Sequence, residues 1–148
     1  MSLSAEILCR IVGIETDTAD VATNTRVTKA DYFLALSDGT AANQAQIIYR
    51  DLRTSGGTDT FQLSALSDTR DGASVSIVFT AAKVLYIENT HATHTLTVTG
   101  AYSGSVPPGG VLLSTNPTAA GTTVSSLYVS STAGATYKIV IVGEGSIV

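Results

Sequence analysis

The sequence predicts an all-β chain, a sandwich or barrel of about ten short strands. Three observations lead there. Apolar residues alternate with Ser and Thr at period two in several windows. Turn-forming residues punctuate the chain at strand-length intervals. No window repeats apolar residues at i, i+3, i+4 and i+7 for three turns, which excludes a long helix or coiled-coil stalk.

Taken in order, a first strand is expected near Ile7–Ile14. Thr16–Lys29 is polar and turn-rich and reads as an exposed loop or arm leading to the rest. Strands follow near Asp31–Leu36, Ala45–Arg53 and Asp59–Leu63, and Leu63–Asp71 has room for one helical turn. In Ala73–Thr80, Val75, Ile77 and Phe79 fall on one face, and Ser74 and Ser76 on the other. Thr95–Thr99 and Ser126–Ser130 alternate in the same way, which marks half-buried strands. Threonine suits their wet face because its branched Cβ fits the pleat. Lys83–Asn89 and Tyr137–Val142 are apolar on both faces. Such strands lie centrally with both faces covered, or put one face into a subunit interface. A further strand is expected near Val111–Ser114. Between them, Ser55-Gly56-Gly57, Arg70-Asp71-Gly72, Pro107-Pro108-Gly109-Gly110, Asn116-Pro117 and Ala133-Gly134 supply turn chemistry.

With 148 residues the chain forms one domain. Within it, residues 1–30 read as an N-terminal strand and polar arm, and residues 31–148 as the β-sandwich. Charged residues are only 14%, against about 25% in an average domain. Ser, Thr, Gly and Ala take their place, leaving a neutral surface that can pack on other proteins at low desolvation cost. The net charge is −4, and the eight Lys and Arg are scattered singly. Phosphate backbones demand clustered cations, so direct nucleic-acid binding is not expected. No apolar run approaches the roughly 20 residues of a membrane span. The start of the chain lacks the basic region and small-residue cleavage site of a signal peptide. The lone Cys9 reads as a small core hydrophobe in a protein made in a reducing compartment.

Signals for catalysis are missing. G-x-S-x-G, the phosphate-cradling G-x-x-x-x-G-K-[ST], and G-x-G-x-x-G after a strand do not occur. Gly143-Glu144-Gly145 reads as part of a polar C-terminal tail. His91 and His94 are weak metal candidates, since two imidazoles three residues apart can reach one ion, but no third ligand accompanies them. Asp51, Asp59, Asp68 and Asp71 lie near Arg53 and Arg70, and ion pairing across strands is their expected use. A glycosidase pair would also need aromatic sugar platforms, and the chain has no Trp. No enzyme activity and no cofactor are expected.

Four stretches, in order, carry a family likeness. Leu36-Ser37-Asp38-Gly39-Thr40-Ala41-Ala42-Asn43-Gln44-Ala45 leads to an aromatic strand and a D-x-R-T turn, Tyr49-Arg50-Asp51-Leu52-Arg53-Thr54. Next come Lys83–Asn89, then Pro108-Gly109-Gly110-Val111-Leu112-Leu113, then the closing Tyr137–Gly143. Together they resemble a group of small structural proteins of tailed-bacteriophage virions, over about three quarters of the chain. That group often has Trp where this chain has Tyr49, and varies most in its first thirty residues. The resemblance implies a jelly-roll-like antiparallel sandwich of about 8–10 strands, assembled as a symmetric oligomer on the particle. The expected role is a head decoration or cement protein. Its partners would be copies of itself, most simply as a trimer on local three-fold positions, and the major capsid protein or other virion proteins. Val84, Tyr86, Val140 and Val142 are the expected core or intersubunit residues, with Tyr49 and Arg53 added from the D-x-R-T stretch. The alternative is a glycan- or receptor-binding module of a tail or fibre, with Tyr102, Tyr128 and the His91–His94 loop as its exposed candidates.

Overall fold

The computed structural model describes residues 2–19, 22–70 and 72–148, with side chains described outside 15–26. It is all-β, and the strands fall in three layers. Strands β1 (Ala5–Ala19) and β2 (Ala22–Asp38) form a long antiparallel hairpin, to whose end the two-residue β3 (Gln44–Ala45) adds in parallel. The body is a sandwich of two antiparallel sheets. One runs β10 (Val111–Thr115), β7 (Ala73–Asn89), β13 (Thr136–Ile147), β4 (Ile47–Thr54), with β6 (Leu66–Arg70) and β11 (Thr122–Thr123) also paired to β7. The other runs β5 (Thr58–Gln62), β12 (Ser126–Ser130), β8 (Leu96–Gly100), β9 (Gly104–Val106).

Period two explains the four-stranded sheet. Leu127 and Val129 of β12, and Leu96 and Val98 of β8, are fully buried against the other sheet. Tyr128 pairs across to Thr60 and Thr99 on the opposite, exposed face. The six-stranded sheet contributes Ile47 and Tyr49 from β4, Leu85 and Ile87 from β7, and Tyr137, Ile139 and Ile141 from β13 to the same core. Its outer face is apolar too, as expected for Lys83–Asn89 and Tyr137–Val142. The hairpin supplies the cover there. Leu34, Leu36 and Ala45 pack on Val84 and Val142, with Leu3, Ala5, Ile7, Ile48, Leu113 and Val140 around them.

Five expectations need correction. Ala73–Thr80 and Lys83–Asn89 are one strand, since Ala81-Ala82 carries no turn signal. Irregularity goes instead into β13, whose register shifts at Val142/Gly143 and Glu144/Gly145. A Cβ on Gly143 would run into the Ala81 carbonyl oxygen, and one on Gly145 into that of Val78. Gly143-Glu144-Gly145 is therefore a bulged strand, not a polar tail. The helical turn expected in Leu63–Asp71 is absent from residues 63–70, where a tight turn closed by Ala65 N–H to Gln62 O, 2.9 Å, leads into β6. Asp71 lies outside the described residues. Of Thr16–Lys29, Thr16–Ala19 and Ala22–Lys29 belong to the two hairpin strands, where the threonines are favoured by the pleat, and residues 20–21 lie outside the described residues. Cys9 is exposed on that hairpin rather than buried in a core.

Candidate assembly surface

The hairpin is the part of the fold that its own chain does not cover. Its strands pair from Ala5↔Leu36 to Ala19↔Ala22 without a register shift. Only the base is seated. Beyond Ile7 and Leu34 the exposed side chains include Leu8 at 63%, Ile11 at 66%, Ile14 at 70% and Phe33 at 61%. Because side chains alternate, register sorts them onto two faces. Leu8 pairs with Phe33 and Ile14 with Val27 on one face, while Cys9 pairs with Tyr32 and Ile11 with Ala30 on the other. Both faces of the arm are thus apolar and open. Arg10 and Asp31, also paired across the hairpin, form an exposed ion pair at 2.8 Å, which contributes little stability. At ~3.3 Å per residue the stretch from Leu8 to Ala19 extends roughly 35–40 Å. A free two-stranded hairpin of that length is marginal in water.

The sheet beneath shows the matching pattern on its outer face, in three cross-strand rows. Thr115, Val84, Val142 and Ile48 are neighbours in the first, beneath the hairpin base. Leu113, Tyr86, Val140 and Arg50 follow, and then Val111, Glu88, Lys138 and Leu52. In this last row Leu52 is 69% and Val111 54% exposed. Between hairpin and sheet runs a groove of about 310 Å³, lined by Glu6, Leu8, Tyr86, Leu113 and Val140 among others. Tyr86 donates to Glu88 Oε2 at 3.1 Å, and Lys138 Nζ approaches the same oxygen at 3.1 Å. The Lys138 hydrogen bond, then that of Tyr86, holds the Glu88 carboxyl below the usual range. Burial, then the Glu88 hydrogen bond, pushes the Tyr86 phenol up.

Of the six residues expected to serve assembly, Val84 and Val142 are buried under the chain's own hairpin, and Tyr86 and Val140 line the groove. Tyr49 and Arg53 do not belong to this surface. Tyr49 faces the inter-sheet core, 1% exposed, because it shares the phase of Ile47 and not of Ile48. There Phe61 stands edge-on between Tyr49 and Tyr137, and the Arg53 guanidinium lies 4.9 Å above its ring. Arg53 Nε donates to Asp51 Oδ2 at 2.6 Å, and the Tyr49 hydroxyl donates to the same oxygen at 3.0 Å. Asp68 pairs with Arg70 at 3.0 Å. These pairs run along one strand rather than across two. Asp59 accepts from the Tyr137 hydroxyl at 2.6 Å, tying β5 to β13.

These tyrosines give the fold a pH dependence. Burial, with Asp51 adding to it, pushes the Tyr49 phenol from 10.0 up to about 12. Burial and the Asp59 hydrogen bond push Tyr137 up as well. A phenol whose folded value is raised holds its proton in the native state while the unfolded chain ionises. Its stabilising contribution is complete below pH 10 and is lost as pH rises toward 12. Urea midpoints are expected to stay level from pH 7 to 9 and to fall from pH 10 upward. A flat profile to pH 12 would contradict the burial argument.

His91 and His94 do come together, ring centroids 4.3 Å apart and stacked. The His91 Nδ1 is already used, accepting from the backbone N–H of Thr93 and of His94, each at 3.2 Å. Among the described residues no group of three or more His, Cys, Asp or Glu is placed to hold a metal. The loop is fixed by Asn89, fully buried, whose Nδ2 donates to His94 O at 2.7 Å and Val106 O at 2.9 Å. Tyr102, expected at the surface, is buried at 8%, whereas Tyr128 is exposed at 38%.

Sequence reasoning missed two features. The hairpin's open faces look in sequence like any other alternating strand. Lys83, read as one end of an apolar strand, is fully buried, with Nζ 2.7 Å from Glu144 Oε1 and donating to Ala41 O at 2.7 Å. The visible signals were a lysine inside an apolar run and a glutamate between two glycines. Comparison with family profiles, with curated proteins and with solved structures finds no match to this chain.

Proposed function

We propose that this chain is a non-enzymatic assembly protein of a tailed-bacteriophage particle, a head decoration or cement protein that stabilises the shell by binding across its subunits. The observation that carries the reading is the hairpin arm, apolar on both faces and left open by its own chain. An exposed edge of this kind is an aggregation hazard unless a partner covers it. In a cement protein the assembled particle, including the neighbouring copies bound on it, supplies that cover. The mechanism is mass action: whatever binds only the assembled shell stabilises it, with no chemistry performed.

The strand order adds support. Apart from the hairpin and the short β3, β6 and β11, the chain passes β4, β5, β7, β8, β9, β10, β12, β13. The sheets are ordered β4-β13-β7-β10 and β5-β12-β8-β9. Two interleaved four-strand sets wound this way support reading the sandwich as a jelly roll, an architecture of capsid and lectin domains. A glycan- or receptor-binding role keeps Tyr128 but loses Tyr102 to the core, so its aromatic platform is thin.

The test is immunogold microscopy of particles produced from the genome that encodes this chain, with antibody raised against it. Label spread over the head in a regular array is expected. Label confined to the tail tip would favour receptor binding, and unlabelled particles would overturn the virion reading.

A further inference from the structure

We propose that the partner covering the arm is a second copy of this chain: the arm of one copy seats in the groove beside β1 of the next, joining copies head to tail. This deepens the assembly reading and rests on it for its biological setting.

The groove and the arm have the same chemistry because they are two halves of one pattern. The hairpin base already shows what the outer face accepts, since Ile7 and Leu34 pack there against the Val84–Val142 row. Ile11 and Ala30 continue that hairpin face beyond the base. Tyr86 and Val140 continue the sheet face beyond the cover, followed by Leu52 and Val111. One copy therefore has a hairpin stripe without a floor and a floor without a hairpin.

The two cannot meet within one copy. The Tyr32 hydroxyl is 2.9 Å from Thr115 Oγ1 on β10, which fixes where the hairpin leaves the sheet. The uninterrupted register from Ala5 to Ala19 gives the arm no bend with which to return. A second copy meets both needs. Among the described residues β1 pairs only with β2, so its other edge is open along the groove. A neighbour's strand laid there gains main-chain hydrogen bonds as well as apolar contact.

Exposure and charge agree. Of the seven large apolar hairpin side chains that are at least 40% exposed, Ile11 and Tyr32 lie on the face that continues Ile7 and Leu34, and Leu8, Val12, Ile14, Val27 and Phe33 on the opposite face. Together they open more apolar surface than a monomer usually leaves bare, and the seated face adds strand pairing along the open edge of β1. Arg10 is paired with Asp31 on the arm and Glu88 with Lys138 on the face. Glu6 at the groove and Arg50 beside Val140 bring one charge of each sign to its border. An arm-to-groove contact joins two different patches, so it closes into a ring or propagates as a filament according to the rotation between copies.

Complementation in solution tests this with full-length protein. One variant carries Ile11→Asp in the arm. The other carries Leu52→Asp and Val111→Lys in the face, each new charge set beside its opposite, Lys138 or Glu88. All three positions are more than half exposed, so both variants should keep the wild-type circular dichroism. Light scattering on a sizing column should give an oligomer for wild type and a monomer for each variant. Their equimolar mixture should give a species of two chains and nothing larger, because it holds one intact arm and one intact face per pair. A face variant that keeps the wild-type mass would overturn the inference in favour of arms pairing with arms. A mixture that stays monomeric, or a wild-type chain that is monomeric up to its solubility limit, would also overturn it. The two readings fail separately. A monomeric chain that still labels phage heads leaves decoration standing without self-docking, and an arm-exchanged oligomer that labels no particle does the reverse.

Discussion

Replacing Lys83 by Met is expected to lower the free energy of unfolding by about 3–5 kcal/mol, read as a fall in the urea midpoint at unchanged slope. The lysine is fully buried, and its ammonium has two partners, the Ala41 carbonyl and the Glu144 carboxylate, each at 2.7 Å. The approach to Glu144 is a contact of charges without hydrogen-bond alignment. Taking two charges out of water costs several kcal/mol per ion, so the pair as a whole adds little. Removing one member is different, because the other stays behind. Glu144 is held in place by the bulge and is only 13% exposed, so water cannot replace the lost ammonium well. The double variant Lys83→Met with Glu144→Gln should therefore recover most of the loss. If single and double variants are equally unstable, the two charges are not coupled and the argument fails. Ala41 belongs to the loop beneath the hairpin base, where Asn43 N–H donates to Pro117 O at 2.8 Å and Ser37 N–H to Asn43 O at 3.1 Å. Faster amide exchange over residues 34–45 should accompany the destabilisation.

Period two located strands well because a half-buried strand writes its burial into the sequence. Ser126–Ser130 is β12 to the residue, with Leu127 and Val129 inside. The two stretches apolar on both faces are central strands, β7 and β13, as their pattern requires. Alternation, however, records that a strand has two faces and not what lies on each. Cys9 alternates as a core residue would, yet it sits on an arm with nothing over it. Val84 and Val142 needed a cover, and alternation could not say that the cover is the chain's own hairpin. Phase would have placed Tyr49 correctly, since Ile47 and Tyr49 share the inner face; the D-x-R-T stretch drew attention to the outer one. Thr16–Lys29 was obscured by composition, because Asp and Asn among its threonines look like turns until pairing supplies the other strand. Lys83 and Glu144 meet only through the register of β7 with β13, and register is a tertiary fact that no local window contains.

Replacing Phe61 by Ala is expected to cost about 3–5 kcal/mol, the other large effect in this fold. Phe61 is 1% exposed on β5 of the four-stranded sheet and reaches across the sandwich between two tyrosines of the six-stranded sheet. Its ring centroid lies 6.4 Å from that of Tyr49 and 6.5 Å from that of Tyr137, at interplanar angles of 69° and 75°. Edge-to-face pairs of this kind add ~0.5–1.5 kcal/mol beyond the area they bury. The Arg53 guanidinium over the ring would lose its cation–π contact at the same time. Collapse into the vacated space is hindered, because Tyr49 is tethered to Asp51 and Tyr137 to Asp59 through their hydroxyls. The site therefore retains a cavity, which places the loss toward the upper end of the range. Phe61→Leu keeps most of the volume and should cost clearly less. A Phe61→Ala loss below about 1 kcal/mol would mean that the two sheets are not joined through this ring. The aromatic cluster lies on the inner face of the six-stranded sheet, and the groove and hairpin on the outer one. Assembly should thus separate from folding of the core: in the cold, where Phe61→Ala remains folded, its native mass should match that of wild type, whereas the variants of the arm and of the outer face lose mass while keeping the wild-type circular dichroism.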